Sequence, residues 1–113
     1  MFRTEISGDI WMLRLSGDVT GAADEESVLH LANQAIAGGI RIGVVDISEV
    51  RFMNSSGIAV LLRLLNRFRQ KDGEVYMMKP PDQVRKLLLM TRLEAIFRII
   101  NSPEDIHPAG GKP

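Results

Sequence analysis

The chain reads as a single α/β domain in which an early hairpin leads into alternating β-α units, giving a mixed sheet with helices packed on it. Three observations point there. Its 113 residues suit one hydrophobic core. Residues 42–47, Ile-Gly-Val-Val-Asp-Ile, form a nearly continuous apolar run of the kind found in strands covered on both faces. Amphipathic stretches of helical spacing lie on either side of it, and a helix between strands is the crossover that parallel pairing needs.

Each element follows in order. Residues 2–6 are a short extended piece, Ser7-Gly8-Asp9 is a turn signal, and residues 10–15 form a strand. On that strand Trp11, Leu13 and Leu15 share one face, with Ile10, Met12 and Arg14 on the other. Ser16-Gly17-Asp18 is expected to end it. Asp24, Glu25 and Glu26 cluster where a helix start favours negative charge. Val28, Leu31, Ala32, Ala35 and Ile36 then recur at helical spacing until Gly38-Gly39. After the strand at 42–47, residues 50–54 read as a connection and Ser55-Ser56-Gly57 as a cap. Residues 58–69 carry a helical stripe of Ile58, Leu61, Leu62 and Leu65. Asp72-Gly73 stops it. Residues 74–78 form a strand, and Pro80-Pro81-Asp82 opens a helix carrying Val84, Leu87 and Leu88. Residues 97–100 make a late strand, and Ser102-Pro103 caps a short last helix. The Pro- and Gly-rich residues 107–113 bury nothing and are expected to form a flexible tail. The methionines Met53, Met77, Met78 and Met90 are expected to fill the core, and Trp11 to be a large packing residue of the hairpin.

Composition removes several classes of function. Fourteen Lys and Arg balance fourteen Asp and Glu, so the basic footprint of a nucleic-acid binder is missing. Without cysteine there is no disulfide, thiolate metal site or Cys nucleophile. The two histidines, His30 and His107, stand apart with no carboxylate-rich motif around either, so a His-based metal site is not expected, and with no residues marking a nucleotide pocket no cofactor is expected. No apolar run reaches the roughly 18 residues that span a bilayer. The first residues lack the succession of a signal peptide, which makes the cytoplasm the expected compartment.

Residues 54–57, Asn-Ser-Ser-Gly, are the most informative stretch. They follow a strand and open an amphipathic helix, where free N–H groups and the positive end of the dipole gather. Ligands and partners of open α/β sheets meet the carboxyl ends of strands, and a phosphate on a serine there would be tolerated. A plain N-cap, worth about 1 kcal/mol, is the simplest reading of a serine there, although a single cap needs only one of the two adjacent hydroxyls. A serine hydrolase would want the G-x-S-x-G elbow, whereas Met53 stands two places before Ser55, and neither histidine has a place as its base. No phosphate-cradling G-x-x-x-x-G-K-[ST] occurs. On the following helix Val60 and Leu64 lie beside the core stripe near Arg67. They either add core contact or leave an apolar edge for a partner. Arg63, Arg67 and Arg69 read as a solvated face.

Residues 44–62, Val-Val-Asp-Ile-Ser-Glu-Val-Arg-Phe-Met-Asn-Ser-Ser-Gly-Ile-Ala-Val-Leu-Leu, resemble the central motif of the STAS domain. More specifically they are similar to bacterial anti-sigma factor antagonists, whose strand ends in D-L/I-S-x-V/L-x-F-M/I-D-S-S-G-L/I. The likeness continues in Leu15-Ser16-Gly17-Asp18-Val19, in Val84-Arg85-Lys86-Leu87-Leu88 and in Met90-Thr91-Arg92-Leu93, so that one STAS domain covers about residues 1–106. The resemblance implies a small switch protein rather than an enzyme. Its dephosphorylated form would bind an anti-sigma factor, often a serine kinase, and so free a sigma factor. The kinase would phosphorylate Ser55 ahead of Ser56, and a phosphoserine phosphatase would reverse the step. The surface this implies comprises Asp18, Thr20, Asn54, Ser55, Ser56 and Gly57, with Val60, Leu64 and Arg67 added from the helix. Two positions depart from the family pattern: Asn54 stands where an Asp precedes the serine, and Val19-Thr20 where Leu-Asp is usual. These departures motivate the alternative of a constitutive STAS scaffold or accessory subunit, stressosome-like or lipid-transporter-associated. Monomer and weak dimer both stay open.

Overall fold

The computed structural model describes residues 2–21 and 25–106. Five strands and three helices follow one another as β1 (Phe2–Ser7), β2 (Ile10–Val19), α1 (Glu25–Ala37), β3 (Ile42–Met53), α2 (Ser55–Arg69), β4 (Glu74–Met78), α3 (Asp82–Met90) and β5 (Arg98–Ile100). A 3₁₀ turn at Pro103–Asp105 follows, where Asp105 Oδ2 accepts from the Asn101 and Ser102 N–H groups. The sheet order is β1-β2-β3-β4-β5, antiparallel between β1 and β2 and parallel thereafter. Each crossover steps one strand in the same direction, and right-handed connections then put all three helices on one face.

The core reflects that arrangement. Trp11, Leu13, Val45, Ile47, Val75 and Met77 point from the sheet into a cluster shared with Val28 and Ala32 of α1, Leu61, Leu65 and Phe68 of α2, and Val84 and Leu88 of α3. Trp11 and Phe68 stack with centroids 5.9 Å apart. A second, smaller cluster of Met12, Val44, Met78 and Ile100 lies on the other face, where Ile10, Ile42, Tyr76 and Ile106 pack against it. The apolar run in β3 is thus buried on both sides, by helices on one and by neighbouring strand side chains with Ile106 on the other.

Several expectations need correction. Ser16-Gly17-Asp18 does not end β2. The register against β3 shifts between Arg14 and Ser16 and again between Gly17 and Asp18, so the turn-like residues form a bulged continuation, and Gly17 takes the positive φ of 74° there. Likewise residues 50–53 belong to β3, which outruns β4 and pairs with the prolonged β2. Met90 is no core filler: it is 81% exposed at the last turn of α3, whereas Met53, Met77 and Met78 are buried. Asp24 and residues 107–113 lie outside the described residues.

Removing the ring from the middle of the core tests this packing. Phe68→Ala is expected to lower the free energy of unfolding by about 3–5 kcal/mol, read from urea denaturation, because it empties a fully buried site and unstacks Trp11.

Candidate functional site

The prolonged ends of β2 and β3 bring residues 18–21 against the start of α2. Asn54, not Ser55, is the N-cap: its backbone is extended and its Oδ1 accepts from the Gly57 N–H at 3.0 Å. The helix therefore begins at Ser55, which leaves both serines exposed in its first turn. Asn54 N–H donates to the Val19 carbonyl at 3.4 Å, tying the cap to β2.

Two glycines let the backbones meet. A Cβ at Gly57 would stand 2.4 Å from the Val19 carbonyl oxygen and 2.8 Å from Met53 Cγ, so the first turn of α2 rests directly on the end of β2. Gly21 has φ of 120°, and a side chain there would meet Ser56 Cβ at 2.9 Å. On the other edge, Gln83 of α3 grips Met53. Its Oε1 accepts from the Met53 N–H and its Nε2 donates to the Met53 carbonyl, each at 2.9 Å. Neither Gly21 nor Gln83 stood out in the sequence. The glycine reads as an ordinary loop residue, and the Gln83 contact joins segments thirty residues apart.

Several arginines of this region pair with polar or acidic side chains of neighbouring elements. Arg51 reaches Asp18 with two hydrogen bonds of 3.0 Å, which hold the Asp18 carboxyl below its ordinary range and raise Arg51. Arg63 of α2 pairs with Glu25 of α1 and lowers that carboxyl in the same way. Arg69 pairs with Glu74, and Arg67 donates to Asn33 at 3.2 Å, so these arginines of the solvent-facing side also bridge elements. The first turn of α2 holds no acidic residue, while its last turn holds Arg67 and Arg69. The positive end of this dipole is thus not offset by a carboxylate of its own first turn.

The expected site residues divide accordingly. Asp18, Thr20, Asn54, Ser55, Ser56 and Gly57 come together, Gly57 as buried support for the exposed serines. Leu64 is fully enclosed in the core and offers no apolar edge; its place on the helix faces the sheet. Val60 is also buried, but it joins Leu13, Leu15, Val28 and Leu61 in lining a cavity of about 80 Å³ whose rim includes Asp18, Thr20 and Gly21. Arg67 lies about 18 Å along the helix axis from Ser55 and so stands apart. Among the described residues no group of His, Asp or Glu could hold a metal, and no helix is long and apolar enough to cross a membrane.

This arrangement matches known proteins. The STAS domain family matches residues 1–106. The chain belongs to that family. A protein of Bordetella bronchiseptica named as a candidate anti-sigma factor antagonist, BtrV, is 30% identical over 90 residues, spanning 80% of this chain and 77% of that protein, which places this STAS chain with the anti-sigma factor antagonists. Among solved structures, the anti-sigma factor antagonist SpoIIAA in its unphosphorylated form superposes with a TM-score of 0.70 at 18% identity, covering 93% of this chain and 92% of that one. The phosphorylated form of the Bacillus cell-fate determinant SpoIIAA gives 0.72 at 19%, covering 93% and 94%. A Thermotoga maritima protein, also described as a candidate anti-sigma factor antagonist, gives 0.78 at 17%, covering 92% and 89%. At these identities the structural likeness speaks to the STAS fold.

Two outcomes test the geometry. In most helices Gly→Ala stabilises by about 1 kcal/mol. In this STAS domain Gly57→Ala is expected to destabilise by about 1–3 kcal/mol in urea unfolding, because the methyl group would overlap the Val19 carbonyl. Asp18 and Glu25 have ordinary values of 3.8 and 4.5, and both are lowered in the folded chain. The stabilisation from their ion pairs is therefore complete above those values and is lost as pH falls through the lowered ones. Stability measured across the acid range is expected to fall less steeply in Arg51→Ala and Arg63→Ala than in wild type.

Proposed function

We infer that the chain is a phosphorylation-controlled interaction switch, whose unphosphorylated form binds an anti-sigma factor with serine-kinase activity and so releases a sigma factor. Ser55 is the residue modified. In the forward step its Oγ takes the γ-phosphoryl group of ATP, ADP leaves, and the hydroxyl proton passes to the kinase. A phosphoserine phosphatase restores the hydroxyl. The chain acts as substrate and ligand, not as catalyst.

One observation carries the reading: Ser55 is exposed as the first residue of a helix whose cap is already supplied by Asn54, so its hydroxyl is not needed to start the helix. Phosphate there adds about −1.5 to −2 charges. The positive end of the α2 dipole tolerates them, so the fold survives while a partner surface packed on the same patch is repelled. Asn54 in place of the family's aspartate removes a charge but keeps the capping oxygen, since Oδ1 accepts from Gly57 N–H as a carboxylate would. The docking patch is Thr20, Asn54, Ser55 and Ser56, with Asp18 at its edge and the Val60-lined cavity beside it.

The test begins with whatever anti-sigma protein the chain retains in its own host. Incubation of that protein with ATP is expected to add one phosphate, mapped to Ser55 by mass spectrometry and absent from Ser55→Ala. Ser55→Asp is expected to weaken binding about tenfold or more, about 1.4 kcal/mol, by calorimetry. Equal binding by wild type, Ser55→Ala and Ser55→Asp would instead favour the constitutive scaffold and overturn the switch.

A further inference from the structure

We propose that Gln83 is the positioning residue of the Ser55 site, holding the peptide just before the cap so that Asn54 and Ser55 keep one orientation. The functional half of this rests on the reading of Ser55 as the switch residue; the positional half does not.

β4 pairs with β3 only over residues 42–46, although β3 continues to Met53. The remainder of β3 has β2 on one side and runs past the end of β4 on the other. At Ser48 the chain answers this locally, with the N–H donating to Asp46 Oδ1 at 3.0 Å. At Met53 it answers with Gln83. The carboxamide offers one acceptor and one donor side by side, and Met53 presents one donor and one acceptor to match. A residue of a neighbouring strand pairs with the same two groups; here one side chain takes the place of a strand.

Position gives the contact its consequence. The Met53 side chain is fully buried, so an unmatched peptide there would be costly. Met53 directly precedes Asn54, whose own N–H bond to Val19 is long at 3.4 Å. The end of β3 is thus held by β2 from one edge and by Gln83 from the other. Gln83 itself stands in the first turn of α3, and Val84 and Leu88 bury that helix in the core. The contact transfers the rigidity of α3 to the residue that sets the α2 cap.

Amide exchange measured by NMR tests the positional half directly. Gln83→Met keeps length and removes both hydrogen bonds. It is expected to speed exchange at Met53, Asn54 and Gly57 about tenfold or more, about 1.4 kcal/mol of local opening, while Leu64 in mid-helix keeps its wild-type rate. Gln83→Glu supplies a readout that loss of packing would not move. Ionised, it lacks the donor for the Met53 carbonyl; protonated, it regains donor and acceptor together. The Met53 and Gly57 amide shifts in this variant are expected to titrate and to meet those of wild type at the acid end. Wild-type exchange at Met53 and Gly57 in Gln83→Met, or no such titration in Gln83→Glu, overturns the proposal. With the host anti-sigma kinase, slower phosphorylation of Gln83→Met than of wild type supports the functional half, and equal rates overturn it. A wild type that takes no phosphate at Ser55 overturns the switch reading instead, with the exchange result still deciding the role of Gln83.

Discussion

The whole site depends on one close approach, the first turn of α2 lying on the Val19 carbonyl at the end of β2. It is possible only because position 57 has no side chain. That contact fixes where the helix starts relative to the sheet, and everything offered to solvent follows from it. Asn54 is left to cap the helix from the extended end of β3, and Ser55 and Ser56 are left free of that task. Gly21, at a backbone angle unfavourable to other residues, lets the neighbouring loop approach Ser56 from the other side.

Asp18 and Glu25 are each matched by an arginine, and the first turn of α2 carries no acid. A helix start with no acidic residue in its own first turn favours negative charge placed there. The ion pairs at its border lie at the surface, so they stabilise little by themselves.

Much of this was legible in the residues. The alternation of helical and strand spacing gave the element order, and Gly38-Gly39 and Asp72-Gly73 marked the ends of two helices. The Asn-Ser-Ser-Gly run marked the site. What misled were signals whose meaning depends on a partner strand. Ser16-Gly17-Asp18 has the composition of a turn, yet pairing with β3 converts it to a bulge. Residues 50–53, Val-Arg-Phe-Met, break the continuous apolar run of 42–47 and lead into the Asn-Ser-Ser-Gly cap, so they read as a connection, but they pair with the prolonged β2. Serine is a favoured cap, but Asn54 competes for the same N–H and holds it. Leu64 looked peripheral on a helical projection because a projection carries no information on how wide a face the sheet will cover.

The sequence by itself determined the order of coiled and extended segments, most of the side chains that are hidden, and that two hydroxyls would stand at a strand-to-helix junction, because these follow from periodicity and short-range chemistry. Only the tertiary structure decided that Gly57 must lack a side chain, that Asp18 answers Arg51, and that Gln83 closes the open edge of β3. Each of those joins residues far apart along the chain, and their meeting is set by sheet order and register, which local pattern does not encode.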